Sequence, residues 1–240
     1  MGKLFFFDID GTLTGVEKPG YIYESTKEAI RQLKANGHFV ALATGRAAFR
    51  ARMFQEEIGI ENMICEGGNQ LIINWETVEY TPIDQQVAKT ICEKALAYDF
   101  GIAISISDTR VRFTPNKRFI EDAGDFHDFM DVVIDEKLDY QNAGIIRRLF
   151  LTIPKGKEDM IPEIDLIGRM HYGNDQFIIV EPDHKYTGIT KMCKRLGKDE
   201  NDVVVFGDGM NDRKMFQEAP FSIAMGNAIP ELKSNCGLCL

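Results

Sequence analysis

Residues 4–13 read LFFFDIDGTL, a short apolar run that ends in two aspartates and a turn. The run from Leu4 to Ile9 is typical of a buried strand. Asp8 and Asp10 are two residues apart, so an extended segment would project both carboxylates to one side. Such a pair is tolerable when a cation lies between the carboxylates or when one of them is protonated. One aspartate could then act as a covalent nucleophile and the other as a general acid and base, although a strand-ending turn capped by Thr12 is the alternative.

The segments that follow alternate between predicted helices and predicted strands. Residues 25–36 and 47–59 are predicted helices, and residues 38–43 and 63–65 are predicted strands. The alternation resumes near the end of the chain, with helices at 186–196 and 212–217 and strands at 202–206 and 221–225. This order predicts an α/β fold with a doubly wound, parallel-sheet (Rossmann-like) core, in which chemistry lies beyond the carboxyl ends of the strands.

The middle of the chain has a different pattern. Residues 82–97 and 119–130 are predicted helices, whereas residues 102–111, 148–153 and 170–180 contain predicted strands, the first with apolar residues in alternation. We therefore predict an inserted α+β domain over residues 82–174. The core would comprise residues 1–81 and 175–240.

A second acidic group follows the predicted strand at 202–206. The loop Gly207-Asp208-Gly209-Met210-Asn211-Asp212 offers hard oxygen ligands of the kind that Mg²⁺ prefers, and its glycines leave room for a metal ion or a phosphate. A solvated turn with a helix-capping aspartate is the alternative interpretation.

Thr44, Gly45 and Lys185 are candidates for phosphate binding. Thr44 and Gly45 follow the strand at 38–43, so the Thr44 hydroxyl and the N–H groups at the start of the next helix could bind phosphate. Lys185 precedes a predicted helix. Taken alone, Thr44 would more often be a helix cap, and Lys185 would more often be a surface lysine.

Composition limits the class of partner. The 240 residues carry a formal net charge of −9, which disfavours nucleic acid and anionic membranes as main partners.

The five cysteines are scattered and odd in number, so a disulfide framework is not expected and a reducing cytoplasm fits best. We expect no export signal, because the N-terminal apolar run is too short for a signal peptide or a membrane span. The sequence says nothing about oligomeric state.

Taken together, the motifs resemble those of the haloacid dehalogenase superfamily. Residues 8–12 (DIDGT) resemble the first motif in its phosphatase form, residues 42–46 (LATGR) the second, Lys185 the third and residues 207–212 (GDGMND) the fourth. An α/β insertion between the second and third motifs resembles the Cof-like sugar-phosphatase branch, in which this segment forms a cap that selects the substrate.

The resemblance implies a role for each motif residue. Asp8 would attack phosphorus and form an aspartyl-phosphate, while Asp10 would protonate the leaving oxygen and then activate water. Asp8, the backbone carbonyl of Asp10 and Asp208 would hold Mg²⁺, with Asp212 orienting them from behind. Thr44, Gly45, Lys185 and Asn211 are the implied phosphate-binding residues. A small phosphorylated metabolite is the implied substrate, and the cap residues Arg147 and Arg148 are candidates for reading a second anionic group on it.

Two other functions stay open on the sequence. A phosphomutase on the same scaffold would use the same paired aspartates but would release little phosphate. A non-catalytic regulator that binds phosphorylated metabolites is the second alternative. The complete set of acidic residues and Lys185 favours catalysis, because a regulator could lose its nucleophile without losing its ligand.

Overall fold

A computed structural model describes residues 2–125, 129–172 and 175–240 of the chain. Its helices are α1 Glu24–Ala35, α2 Ala48–Ile58, α3 Gln85–Ala97, α4 Arg118–Asp122, α5 Ile164–Ile167, α6 Lys185–Leu196, α7 Arg213–Glu218 and α8 Pro230–Ser234. Its strands are β1 Leu4–Phe7, β2 Phe39–Ala43, β3 Met63–Cys65, β4 Gln70–Ile73, β5 Glu76–Tyr80, β6 Gly101–Ser105, β7 Val111–Thr114, β8 Asp131–Ile134, β9 Arg148–Thr152, β10 Arg169–Tyr172, β11 Phe177–Val180, β12 Val203–Gly207, β13 Phe221–Ala224 and β14 Leu238–Cys239.

The chain forms two compact units. The first comprises two segments of the sequence, one that ends at Tyr80 and one that begins at Asp183. The second comprises Thr81–Pro182. The predicted return to the core at residue 175 differs from this boundary. β11 pairs antiparallel with β9 and β10, so it is part of the second unit, where its four residues are buried.

The first unit is built on a sheet whose strand order is β14-β13-β12-β1-β2-β3-β4-β5. Pairing is parallel from β14 to β3 and antiparallel for β4 and β5. β1 lies between β12 and β2, and most of the apolar residues of these strands are buried, as in parallel sheets covered by helices on both faces. This arrangement confirms the predicted Rossmann-like α/β core and places the carboxyl ends of β12, β1 and β2 side by side.

The second unit has its own sheet, in the order β10-β11-β9-β6-β7-β8. One face packs on α3 through a cluster that includes Ile91, Ile104 and Leu149, and the other packs on α4 through Phe119 and Phe150. The predicted strand at 102–111 ends earlier in the structure, at Ser105 of β6, and the chain then turns and begins β7 at Val111, which pairs antiparallel with β6. The predicted helix at 119–130 ends at Asp122 in the structure, and its residues 126–128 lie outside the described residues.

Along the described ranges, the helices are all too short or too polar to cross a membrane.

Candidate active site

The carboxyl ends of β1 and β12 place two aspartates next to each other. Asp8 directly follows β1 and is 3% exposed, and Asp208 directly follows β12. The two strands pair in register as far as Phe7 and Phe206, and the Asp8 N–H donates to the Phe206 carbonyl at 3.1 Å. Asp208 also packs closely on the turn after β1, because a Cβ at Gly11 would come within 2.2 Å of Asp208 Oδ2. Gly11 has φ +77°, so glycine suits this position for conformational and steric reasons.

Lys185 joins two of the predicted site carboxylates. Its side chain is 2% exposed, and Nζ lies 2.7 Å from Asp8 Oδ1 and 2.7 Å from Asp212 Oδ1. Burial lowers the pKa of Lys185, but Asp212 and Asp8 raise that pKa by more, so the ammonium stays charged. Lys185 is the first residue of α6, so the start of this helix delivers a cation to the strand ends.

Burial raises the pKa of two of these carboxyl groups, Asp8 and Asp208, when no metal is bound. It raises the pKa of Asp8 to about 7, against the lowering effect of Lys185, and Asp212 adds to the increase. Burial also raises the pKa of Asp208, while the hydrogen bond from Thr12 acts in the opposite direction. A single lysine therefore does not balance the negative charge in this cluster.

The donor set fits a hard divalent cation. Asp8, Asp208 and Asp212 each offer one carboxylate oxygen, and these oxygens lie within 4.8 Å of one another. Asp212 is already engaged by its surroundings, because its Oδ1 meets Lys185 and its Oδ2 accepts the N–H groups of Asp208 at 3.0 Å and Gly209 at 3.1 Å. Asp8, Asp208 and Asp212 are the candidate side-chain ligands for a cation, and Asp212 also fixes the loop that carries Asp208.

Two further side chains orient Asp208. Thr12 Oγ1 donates to Asp208 Oδ1 at 3.0 Å, and Asn227 Nδ2 donates to Asp208 Oδ2 at 3.0 Å and to the Gly11 carbonyl at 2.9 Å. Sequence reasoning missed Asn227. The available signal was its position, since it follows β13, the strand that pairs in parallel with β12.

Asp10 is in a different environment from Asp8. Its side chain is 54% exposed and forms a two-armed ion pair with Arg46, in which Nε donates to Oδ2 at 2.7 Å and Nη2 donates to Oδ1 at 2.6 Å. The expectation of two like-directed carboxylates assumed that the strand continued, but β1 ends at Phe7 and a turn over Ile9–Leu13 follows. The metal contact predicted for Asp10 involves its backbone carbonyl and stays a prediction.

The other candidate residues surround the same strand ends. Thr44 follows β2, is 1% exposed and accepts the Arg46 N–H on Oγ1 at 3.1 Å. Gly45 is half-buried beside it, and Asn211 is exposed in the loop after β12. Their phosphate-binding roles stay predictions.

The two arginines predicted to read the substrate lie in the second unit. Arg148 is 6% exposed, with Nε 2.9 Å from Glu181 Oε2, so its charge is paired inside that unit. Arg147 is half-buried, and its N–H donates to the Ser105 carbonyl at 2.7 Å.

Comparison with known proteins identifies the family. A family model described as haloacid dehalogenase-like hydrolase matches residues 5–239. Bacillus subtilis (strain 168) YkrA is 29% identical over 96% of this chain and 89% of its own length. The Escherichia coli (strain K12) 5-amino-6-(5-phospho-D-ribitylamino)uracil phosphatase YbjI is 27% identical over 94% of this chain and 86% of its own. A crystal structure from Geobacillus kaustophilus HTA426 superposes with a TM-score of 0.83 at 27% identity, covering 100% of this chain and 93% of that one. The chain therefore belongs to the haloacid dehalogenase-like hydrolases, in the Cof-type branch of phosphatases.

Proposed function

We propose that this phosphatase is Mg²⁺-dependent and hydrolyses a small phosphorylated metabolite through an aspartyl-phosphate on Asp8. The observation that carries the proposal is the buried group formed by Asp8, Lys185 and Asp212, with Asp208 beside it. A buried carboxylate with a charged lysine at 2.7 Å is poised to approach an anionic phosphoryl group, which Asp8 alone would repel.

The reaction would proceed in two displacements. An Asp8 carboxylate oxygen forms a bond to phosphorus while the ester P–O bond breaks, and Asp10 gives its proton to the departing oxygen. Asp10, now ionised, takes a proton from water as the water oxygen attacks the phosphorus of the aspartyl-phosphate. Inorganic phosphate leaves, and Asp8 and Asp10 return to their starting forms.

The remaining residues hold charge in place during these steps. Lys185 would contact the transferring phosphoryl oxygens, and Thr44, Gly45 and Asn211 would contribute hydrogen bonds to them. Mg²⁺ held by Asp8, Asp208 and the Asp10 carbonyl would supply the positive charge that the cluster lacks. Asp212, through its bonds to Lys185 and to the backbone at 208–209, keeps the cation-binding side chains in position.

For the substrate, we propose a phosphate ester of a sugar or a sugar-like alcohol. The family branch and the YbjI relative, whose named substrate carries a phosphate on a ribityl chain, support this class. Residues 81–182, inserted in the sequence between Thr44 and Lys185, would select among such esters.

Substitution of the nucleophile tests the proposal. Asp8→Asn should reduce Mg²⁺-dependent phosphate release from p-nitrophenyl phosphate by at least about a thousandfold, because a carboxamide cannot form the aspartyl-phosphate. EDTA should abolish turnover by the unmodified protein. Asp202→Asn is the matched control, since Asp202 lies at the opposite end of β12 and pairs with Lys3 on the surface.

Intact-mass measurement after an acid quench adds a direct readout. Asp10→Asn should accumulate a protein carrying one phosphoryl group, because hydrolysis of the intermediate lacks its base. Undiminished turnover by Asp8→Asn, or equal rates with and without Mg²⁺, would refute the proposal. Transfer of phosphate between sugar positions without its release would point to a phosphomutase instead.

A further inference from the structure

Arg46 is fixed at both its backbone and its guanidinium. Its N–H donates to Thr44 Oγ1 at 3.1 Å, and its carbonyl accepts the Glu66 N–H at 2.9 Å. The guanidinium carbon lies 4.8 Å from the centre of the Phe54 ring, which is 3% exposed and belongs to the core of the first unit. A planar guanidinium held in this way presents its Nε–H and Nη2–H groups in a fixed direction.

The carboxylate that accepts these N–H groups belongs to Asp10. Both of its oxygens are engaged, one by Nε at 2.7 Å and the other by Nη2 at 2.6 Å. Asp8, by contrast, faces Lys185 and Asp212. The two aspartates of the 8–12 motif therefore have separate cationic partners.

Stability is a weak explanation for the pair between Arg46 and Asp10. Their side chains are 24% and 54% exposed, and an ion pair so open to solvent contributes little to folding stability. A two-armed pair does, however, restrict the direction of a carboxylate much more than a single hydrogen bond does. Orientation of Asp10 is therefore the larger effect.

We propose that Arg46 is the positioning residue for the acid and base carboxyl of Asp10, an inference that rests on the proposed function. A carboxylate bound by both arms has no proton to give. When Asp10 is protonated, the oxygen that carries the proton releases its N–H, and the other oxygen stays bonded to Arg46. One Arg46 N–H thus keeps the Asp10 carboxyl oriented, while the protonated Asp10 oxygen, which no longer contacts Arg46, delivers its proton to the leaving group. Once that proton has gone, the second arm can form again.

Leaving groups of different basicity separate this role from a structural one. A p-nitrophenolate leaves without needing a proton, whereas a primary alkoxide must be protonated as it departs. Arg46→Gln should therefore lower kcat/KM for glycerol 3-phosphate at least about tenfold more than kcat/KM for p-nitrophenyl phosphate. The ratio of these two constants is the readout, because kcat/KM reports on the step in which the ester bond breaks.

Three further variants and one control variant complete the measurement. Asp10→Asn should change the ratio in the same direction and by at least as much, and Arg46→Gln added to Asp10→Asn should change it no further. Arg46→Lys, which keeps the charge but lacks the two-armed geometry, should show an intermediate ratio and serves if the glutamine variant folds poorly. Arg52→Gln is the matched control, because Arg52 lies six positions further along the chain, in α2, and its guanidinium carbon also lies near an aromatic ring, 6.0 Å from the centre of the Trp75 ring.

The outcomes distinguish the inference from the proposed function. If Asp10→Asn leaves the ratio unchanged, the acid role of Asp10 fails and the inference fails with it. If Asp10→Asn changes the ratio but both Arg46 variants lower the two constants equally, the proposed function stands. In that case Arg46 contacts the phosphoryl group or supports the fold, and the inference is wrong.

Discussion

At the scale of single residues, burial of Asp8, the proposed nucleophile, opposes the ionised form that nucleophilic attack requires. Asp8 is 3% exposed, and burial raises its pKa from the ordinary value of 3.8 to about 7. The folded metal-free protein therefore holds the Asp8 proton more tightly than the unfolded chain does. Asp8 favours folding below about pH 4, and this contribution is lost as pH rises toward 7.

Asp8→Asn should accordingly stabilise the metal-free protein while it destroys activity. One unit of pKa corresponds to about 1.4 kcal/mol, so we expect the free energy of unfolding of the variant to be higher by at least about 1 kcal/mol at pH 8 in EDTA. The difference should shrink as pH falls toward 4. Urea unfolding at both pH values measures it, and a less stable variant at pH 8 would contradict the assigned burial effect.

Part of the site was predictable at this scale. Asp8, Thr44 and Asp208 each follow an apolar run, and parallel strands bring such positions to one edge of the sheet. The partner of Asp10 was not predictable, because it depends on the turn that begins after Phe7 and on the stacking of Arg46 over Phe54. Asn227 was hidden for a similar reason, since it reaches Gly11 across 216 positions of sequence.

At the scale of elements, the start of α6 is held by close backbone contact with the loop after β3. The His184 N–H donates to the Gly67 carbonyl at 2.9 Å, and a Cβ at Gly68 would come within 2.3 Å of the His184 carbonyl oxygen. A Cβ at Gly188 would likewise come within 2.5 Å of Ile64 Cγ2. Gly68 and Gly188 thus allow the start of α6 to pack closely against this loop, which places Lys185 beside Asp8.

Gly68→Ala should disturb both the fold and the site. Gly68 has φ +110°, and its new methyl group would have to displace backbone, so we expect a loss of about 1–3 kcal/mol in unfolding free energy and at least a tenfold loss in kcat as Lys185 moves. Gly37→Ala is the control, because Gly37 has φ +77° but no atom within 4 Å of the place that a methyl group would take. Equal effects of both substitutions on kcat would contradict the role of this junction.

The elements of the first unit were easier to predict than those of the second. β1, β2 and β12 are apolar runs that end in polar turns, so local pattern is enough to locate them. In the second unit, Phe119 and Met130 are both buried and suggest one helix, yet the helix stops at Asp122 and Gly124 follows with φ +67°. Pairings such as β7 with β8 depend on tertiary contacts that no short window of sequence contains.

At the scale of the whole molecule, the two units have separate apolar cores. The site side chains Asp8, Lys185, Asp208 and Asp212 all belong to the first unit, although Asp8 and Lys185 are 177 positions apart in the sequence. The boundary after Pro182 could not be predicted, because β11 is as apolar as a core strand and only its pairing with β9 and β10 assigns it to the second unit.

Because the acidic cluster closes only in the folded chain, Mg²⁺ should stabilise the whole first unit. A ligand that binds only the folded state raises stability in proportion to the logarithm of its concentration once this exceeds Kd. We expect Mg²⁺ to raise Tm, and Asn227→Ala to require about 10- to 100-fold more Mg²⁺ for the same rise, because Asp208 loses the donor to its Oδ2. Asn235→Ala is the control, since the Asn235 side-chain amide donates to the Glu231 carbonyl and to Ser234 Oγ at the end of α8. If the Mg²⁺ dependence of Tm is unchanged in Asn227→Ala, this amide does not orient Asp208 toward the cation. If Mg²⁺ does not raise the Tm of the unmodified protein, that result argues against a Mg²⁺ site at these strand ends.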